Sequence, residues 1–205
     1  MKKLTLVVAA IFCFNSITAQ QTEIQLETTY GSDNKEIHDL LRFQNIETIV
    51  MEFKGEQLKA KKYTILVKEF TNGSLYKTDT ILNSKSSEYI PVIKDTLFKF
   101  KYFVKTQMDN KVKMTFLFNR FSVTKKYDIK VTEDQYALHD FLGGNKSIPI
   151  KLNTKKNILA YFLPYLEKET GWKKYCDVSG SKYQPEEWGN AFNIPSYFLV
   201  EVLFE

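Results

Sequence analysis

Between positions 98 and 118 the chain sets Phe98, Phe100, Tyr102 and Val104, then Val112, Met114, Phe116 and Phe118, on every second residue, with Lys99, Lys101, Lys111 and Lys113 between them. A period of two fits extended chain only, because successive side chains of a strand leave opposite faces whereas a helix would spread them around its whole circumference. One face therefore meets a core and the other meets water, as in an antiparallel sheet. Asp109-Asn110 supplies a turn between the two runs.

The same reading extends to both sides of this hairpin. Tyr63, Ile65 and Val67 alternate toward a core, Asn72-Gly73 follows, and Leu75 to Leu82 returns. Asn-Gly between two strand-like runs marks a hairpin, since both residues tolerate the positive φ of a type I′ turn. Ile24, Leu26, Thr28 and Tyr30 predict a half-buried first strand, and Gly31 to Lys35 a polar turn. Ile46 to Phe53 is apolar on both faces, which suits an inner strand. Further strands are expected at Ser86–Ile93, Ser122–Thr132, Ser147–Leu152, Asn157–Leu166 and Tyr197–Phe204. About ten short strands with close turn signals predict an all-β protein, an antiparallel β-sandwich of Ig-like or related form, with a β-barrel as the alternative. One short helix is expected near the carboxyl end, where Pro185 opens a turn, Glu186 and Glu187 follow, and Trp188 and Phe192 lie four apart.

The amino terminus reads as a secretory signal peptide. Lys2 and Lys3 precede an apolar run from Leu4 to Phe14, and Ala19 stands where a signal peptidase expects a small residue. Cleavage is expected after Ala19, with Gln20 as the alternative. The apolar run is much shorter than the roughly 20 residues that a membrane-crossing helix needs, so the mature chain is not expected to span a membrane. Cys13 follows bulky Phe12 rather than a small residue, which argues against a lipid anchor. The remaining residues, 20–205, are expected to form a β-sandwich domain, or two packed modules split near 130. The second option rests on an echo of Ile37-His38-Asp39-Leu40-Leu41 in Leu138-His139-Asp140-Phe141-Leu142.

Charge and cysteine content narrow the functional classes. The whole chain has 29 basic and 24 acidic residues; without Lys2 and Lys3 the excess falls to three positive charges, and no basic run of five occurs. Nucleic acid is therefore not an expected partner. Cys176 is the one cysteine beyond the leader, so no internal disulfide can form, and a buried thiol packed near Trp172, Tyr175 and Val178 is expected.

Recognisable catalytic constellations are missing. His38 and His139 each precede an aspartate, yet neighbours on a strand diverge, and a zinc site would need both histidines to converge with Cys176. Ser179 lacks the glycine two positions earlier that a nucleophile elbow requires. Gly143-Gly144-Asn145-Lys146 has no phosphate-loop pattern. The pairs Glu167/Glu169 and Glu186/Glu187 sit in polar surroundings typical of solvated faces. No enzyme activity, metal or cofactor is expected.

The exceptional feature is the aromatic density toward the carboxyl end, with both tryptophans of the chain among polar loop residues. Trp172, Tyr175, Tyr183, Trp188 and Phe192 form the candidate binding surface, because loop aromatics supply large amphipathic contact area. The expectation is a periplasmic or secreted, non-enzymatic protein that binds another protein of the bacterial envelope, as an accessory or an inhibitor. The alternative is a carbohydrate-binding module in which Trp172 and Trp188 present coplanar, exposed stacking platforms to a glycan. A hydrolase using carboxylates or Cys176 is the third reading.

Overall fold

The computed structural model describes residues 23–86, 88–129, 135–175, 178 and 180–205. The expected leader with its cleavage site, Cys13, Cys176 and Ser179 lie outside the described residues.

Two antiparallel sheets pack face to face as a sandwich and do not close into a barrel. The first contains, in spatial order, β7 (Ser122–Asp128), β6 (Lys111–Leu117), β5 (Leu97–Gln107), β2 (Glu47–Lys54), β1 (Ile24–Tyr30) and β9 (Ile148–Ile150). The second contains β4 (Ser74–Asn83), β3 (Tyr63–Thr71), β13 (Ser196–Phe204), β10 (Lys156–Phe162) and β8 (Ala137–Asp140). Each sheet mixes strands from before and after residue 130. The alternation decides which way the residues point: Ile49, Met51, Phe53, Phe98, Phe100, Tyr102 and Val104 are buried from one sheet, and Tyr63, Ile65, Val67, Phe198, Val200, Val202 and Phe204 from the other. Phe204 meets Phe53 edge-on at 5.0 Å between ring centroids and Phe98 at 5.7 Å, so aromatic pairs tie the layers together.

Both expected hairpins are present. Asn72 and Gly73 take φ of 49° and 77° between β3 and β4, and Asn110 takes 56° between β5 and β6. The tip at Gly73 also packs tightly against another segment. A Cβ at Gly73 would lie 2.0 Å from the Asn190 side-chain oxygen, and one at Gly189 would lie 2.5 Å from the Gly73 Cα. Asn190 Nδ2 donates to the Gly73 carbonyl at 3.1 Å, so two glycines and one amide lock the hairpin onto the carboxyl-terminal layer.

Two expectations need correction. Residues 86 and 88–93, in the expected Ser86–Ile93 strand, form turns, bends and irregular chain instead, and Ile93 is fully buried. The residues after the polar turn form a helix, α1 (Lys35–Phe43), which the alternation reading had not anticipated. Asn34 caps it, accepting from the Ile37 N–H at 3.1 Å, and Glu36 and Arg42 complement its two ends. The echoed pentapeptides consequently differ in structure, one lying within α1 and the other starting as strand β8. The expected carboxyl-terminal helix is present: a 3-10 turn at Pro185–Glu187 leads into α2 (Trp188–Ala191). Glu187 accepts from the Gln184 N–H at 2.9 Å across the first turn.

Candidate functional site

The five aromatic residues singled out by sequence separate into a floor and a rim. Trp188 is 1% exposed and packs over the outer face of the second sheet, its ring 5.5 Å from Phe162, 5.7 Å from Phe141 and 6.3 Å from Tyr197. It is therefore a core residue of a third layer, not a contact residue, because β10 and β13 place large apolar side chains on both faces and the outer face must also be covered. Tyr175 is half-buried over Phe162, at 5.8 Å, and its hydroxyl donates to the Gln135 carbonyl. Next to it His139 on β8 stands 5.1 Å from Phe162; burial depresses its pKa, partly offset by Asp140.

Trp172, Tyr183 and Phe192 lie further out. A two-stranded hairpin of β11 (Tyr165–Leu166) and β12 (Lys173–Lys174) carries Trp172, which is 69% exposed, at its end. Tyr165, on the same hairpin, packs at 5.6 Å against half-buried Phe192, and exposed Tyr183 meets Phe192 edge-on at 5.7 Å. A coplanar pair of exposed indoles is not formed, since Trp188 lies inside.

A different region has more exposed apolar surface. The order Ile37, Leu40, Leu41, Phe43 gives α1 an apolar stripe at helical spacing, yet no residue of α1 is buried. Ile37 is 50%, Leu40 60% and Phe43 79% exposed. Beside Phe43, fully exposed Met108 tips the β5–β6 turn. Phe43 and Met108 line one groove of about 590 Å³ with Asn45, Lys105, Thr106 and Gln107. Asn45 and Thr106 also line a second cavity of about 270 Å³, joined there by Arg42, Ile46, Glu47, Tyr136 and Tyr161.

This second cavity is the open end of the sandwich core. Glu47 continues the inward-facing series of Ile49, Met51 and Phe53 on β2, and Thr106 continues that of Tyr102 and Val104 on β5. Tyr136 and Tyr161 stack at 5.0 Å on the opposite wall, and the Thr106 and Tyr161 hydroxyls are 3.4 Å apart. The Glu47 carboxylate accepts from the Leu138 N–H at 2.9 Å. No basic side chain pairs with it among the described residues, and burial pushes its pKa up. Nearby, Tyr30 accepts from the Asp140 N–H at 2.8 Å and is held well above its usual pKa by burial and by Asp140. Arg42, at the mouth, is exposed.

Among the described residues no group of three histidine, cysteine, aspartate or glutamate side chains could hold a metal ion, and no helix is long and apolar enough to cross a membrane. No family model matches the chain, and neither a curated protein nor a solved structure matches it. The α1 groove was missed by sequence reasoning although a signal existed: Asn34 stands three residues before Ile37, and the 37, 40, 41 spacing is helical.

Proposed function

We propose that this chain is an exported, non-enzymatic β-sandwich that binds another protein of the bacterial envelope, with α1 as the main contact surface. The observation carrying this reading is a strongly amphipathic helix whose apolar stripe, Ile37, Leu40 and Phe43, faces solvent and continues onto Met108. Exposed apolar residues scattered singly are ordinary, but a stripe that continues onto Met108 in a groove also lined by Lys105 is the pattern of an interaction site. The glycan reading has weaker support, because one of its two platforms is core.

The test places a photo-crosslinking amino acid at position 43 in the exported full-length chain, with the same substitution at exposed Lys151 as control. A discrete protein adduct from position 43 and none from position 151 is expected. Equal labelling from both positions, or none from either, overturns the reading.

A further inference from the structure

The strand pairing leaves part of the first sheet open beside this groove. β2 begins at Glu47 opposite Val104, but β5 runs on to Gln107. Lys105, Thr106 and Gln107 pair with β6 on one side. On the other side they have no main-chain partner among the described residues, because Gln44, Asn45 and Ile46 turn away and donate their N–H groups to the carbonyls of Leu40, Arg42 and Leu41. A short open strand edge at the mouth of a cavity is the geometry of strand addition, in which main-chain pairing holds an extended segment while pockets read alternate side chains.

We infer that the groove receives an extended segment of the partner protein, paired to the open edge of Lys105–Gln107, with one basic side chain reaching Glu47 and one apolar side chain lying between Phe43 and Met108. This rests on the protein-binding reading above and specifies the partner's chemistry. Charge complementarity selects the basic residue. Glu47 is an inward-pointing carboxylate whose one protein hydrogen bond comes from the Leu138 N–H, and no cation balances it among the described residues. Tyr136 and Tyr161, largely buried and stacked on each other, line the same cavity and bring no positive charge to oppose an ammonium or guanidinium at Glu47. Arg42 and Lys105 at the rim repel a second basic residue, so the motif carries a single one. The Gln107 Oε1, buried and without a hydrogen-bond partner, offers an acceptor in the same groove. Met108 adapts its thioether to apolar side chains of different shape.

The test uses an acetylated, amidated pentapeptide, Thr-Val-Arg-Val-Thr, titrated into the folded chain and followed by amide chemical shifts. Saturable binding at or below about 1 mM is expected, with shifts concentrated at Glu47, Leu138 and Lys105–Gln107. Glu47→Gln, which keeps an acceptor for the Leu138 N–H, should weaken it about tenfold, as should replacing the peptide arginine by glutamine; combining both changes should cost no more than either alone. Methylating alternate peptide nitrogens should abolish binding if the edge is used. Absence of saturation, or tight binding indifferent to Glu47→Gln or to methylation, overturns the inference. If position 43 still crosslinks to a protein in that event, the strand-addition model falls while the protein-binding reading stands; if neither is observed, both fall.

Discussion

α1 and α2 have opposite fates. α1 is nine residues long, capped, charged in the right sense at both ends and strongly amphipathic, yet none of its residues is buried. α2 has four residues and no side-chain cap, yet it buries both Trp188 and Gly189. The difference lies in what each helix meets. α2 sits over a sheet face lined with Phe162 and Tyr197 and beside Phe141 just past β8, and Gly189 lets its backbone approach the hairpin at Gly73. α1 connects β1 to β2 at the end of the sandwich, where the core finishes in Glu47 and Thr106 rather than in large apolar rings. Amphipathicity makes a helix able to bury a face; the fold decides whether a surface is there to receive it.

The contrast breaks most easily at Trp188. Trp188→Ala removes a ring in contact with three others and should destabilise the fold by about 3–5 kcal/mol, whereas Phe43→Ala should stay within about 0.5 kcal/mol. Urea unfolding of the two variants decides: equal losses would mean that α1 is packed as firmly as α2.

A smaller effect is expected where the hairpin tip meets α2. Gly189→Ala forces a Cβ to within 2.5 Å of the Gly73 backbone, and overpacking of this kind typically costs about 1–3 kcal/mol. Gly73→Val adds strain at a φ of 77° to a clash with Asn190 and should cost about as much or more. Thermal melting of both variants indistinguishable from that of the parent chain would show that the tip is not docked.

The two regions should also respond to pH with opposite sign. His139, beneath the carboxyl-terminal layer, has its pKa lowered by burial. As pH falls below about 6.5 the unfolded chain takes up a proton that the folded chain resists, so stability declines from there down to the lowered folded value. Glu47 has its pKa raised from 4.5. There the folded chain holds the proton longer, so this contribution is present below 4.5 and is lost as pH rises through the raised value. Denaturant midpoints against pH should therefore lose an upward slope in His139→Gln and a downward slope in Glu47→Gln. The reverse assignment would show that the environments have been exchanged.

The period of two made the sandwich legible, because Phe98 to Phe118 and Tyr63 to Val67 carry an alternation that only strands satisfy. Asn72-Gly73 was legible for an equally local reason, since both residues take positive φ. What stayed hidden was tertiary. Nothing local distinguishes Trp172 from Trp188, because burial of the latter depends on Phe141, Phe162 and Tyr197, which are brought together by strand pairing. Glu47 reads as one polar residue in a strand pattern, and only the start of β2 opposite Val104 shows that it faces a cavity beside an open edge. α1 was missed for want of length: nine residues give too few periods to outweigh the surrounding strand signals.

The smallest expected change comes from Trp172. As an exposed ring on a hairpin end, it should contribute within about 0.5 kcal/mol to folding when truncated to alanine. Its state can still be read directly, because the chain has 2 tryptophans. In Trp188→Phe the fluorescence comes from Trp172 alone and should be red-shifted and quenched efficiently by iodide. In Trp172→Phe it comes from Trp188 alone and should be blue-shifted and shielded, since that ring is 1% exposed against 69% for Trp172. Addition of a crosslinking partner would then sharpen the assignment. If partner binding shields Trp172 but leaves Phe43→Ser binding as the parent does, the contact lies on the hairpin instead of on α1. If Phe43→Ser abolishes binding while Trp172 stays open to iodide in the bound parent, the hairpin ring takes no part and the α1 groove carries the interface.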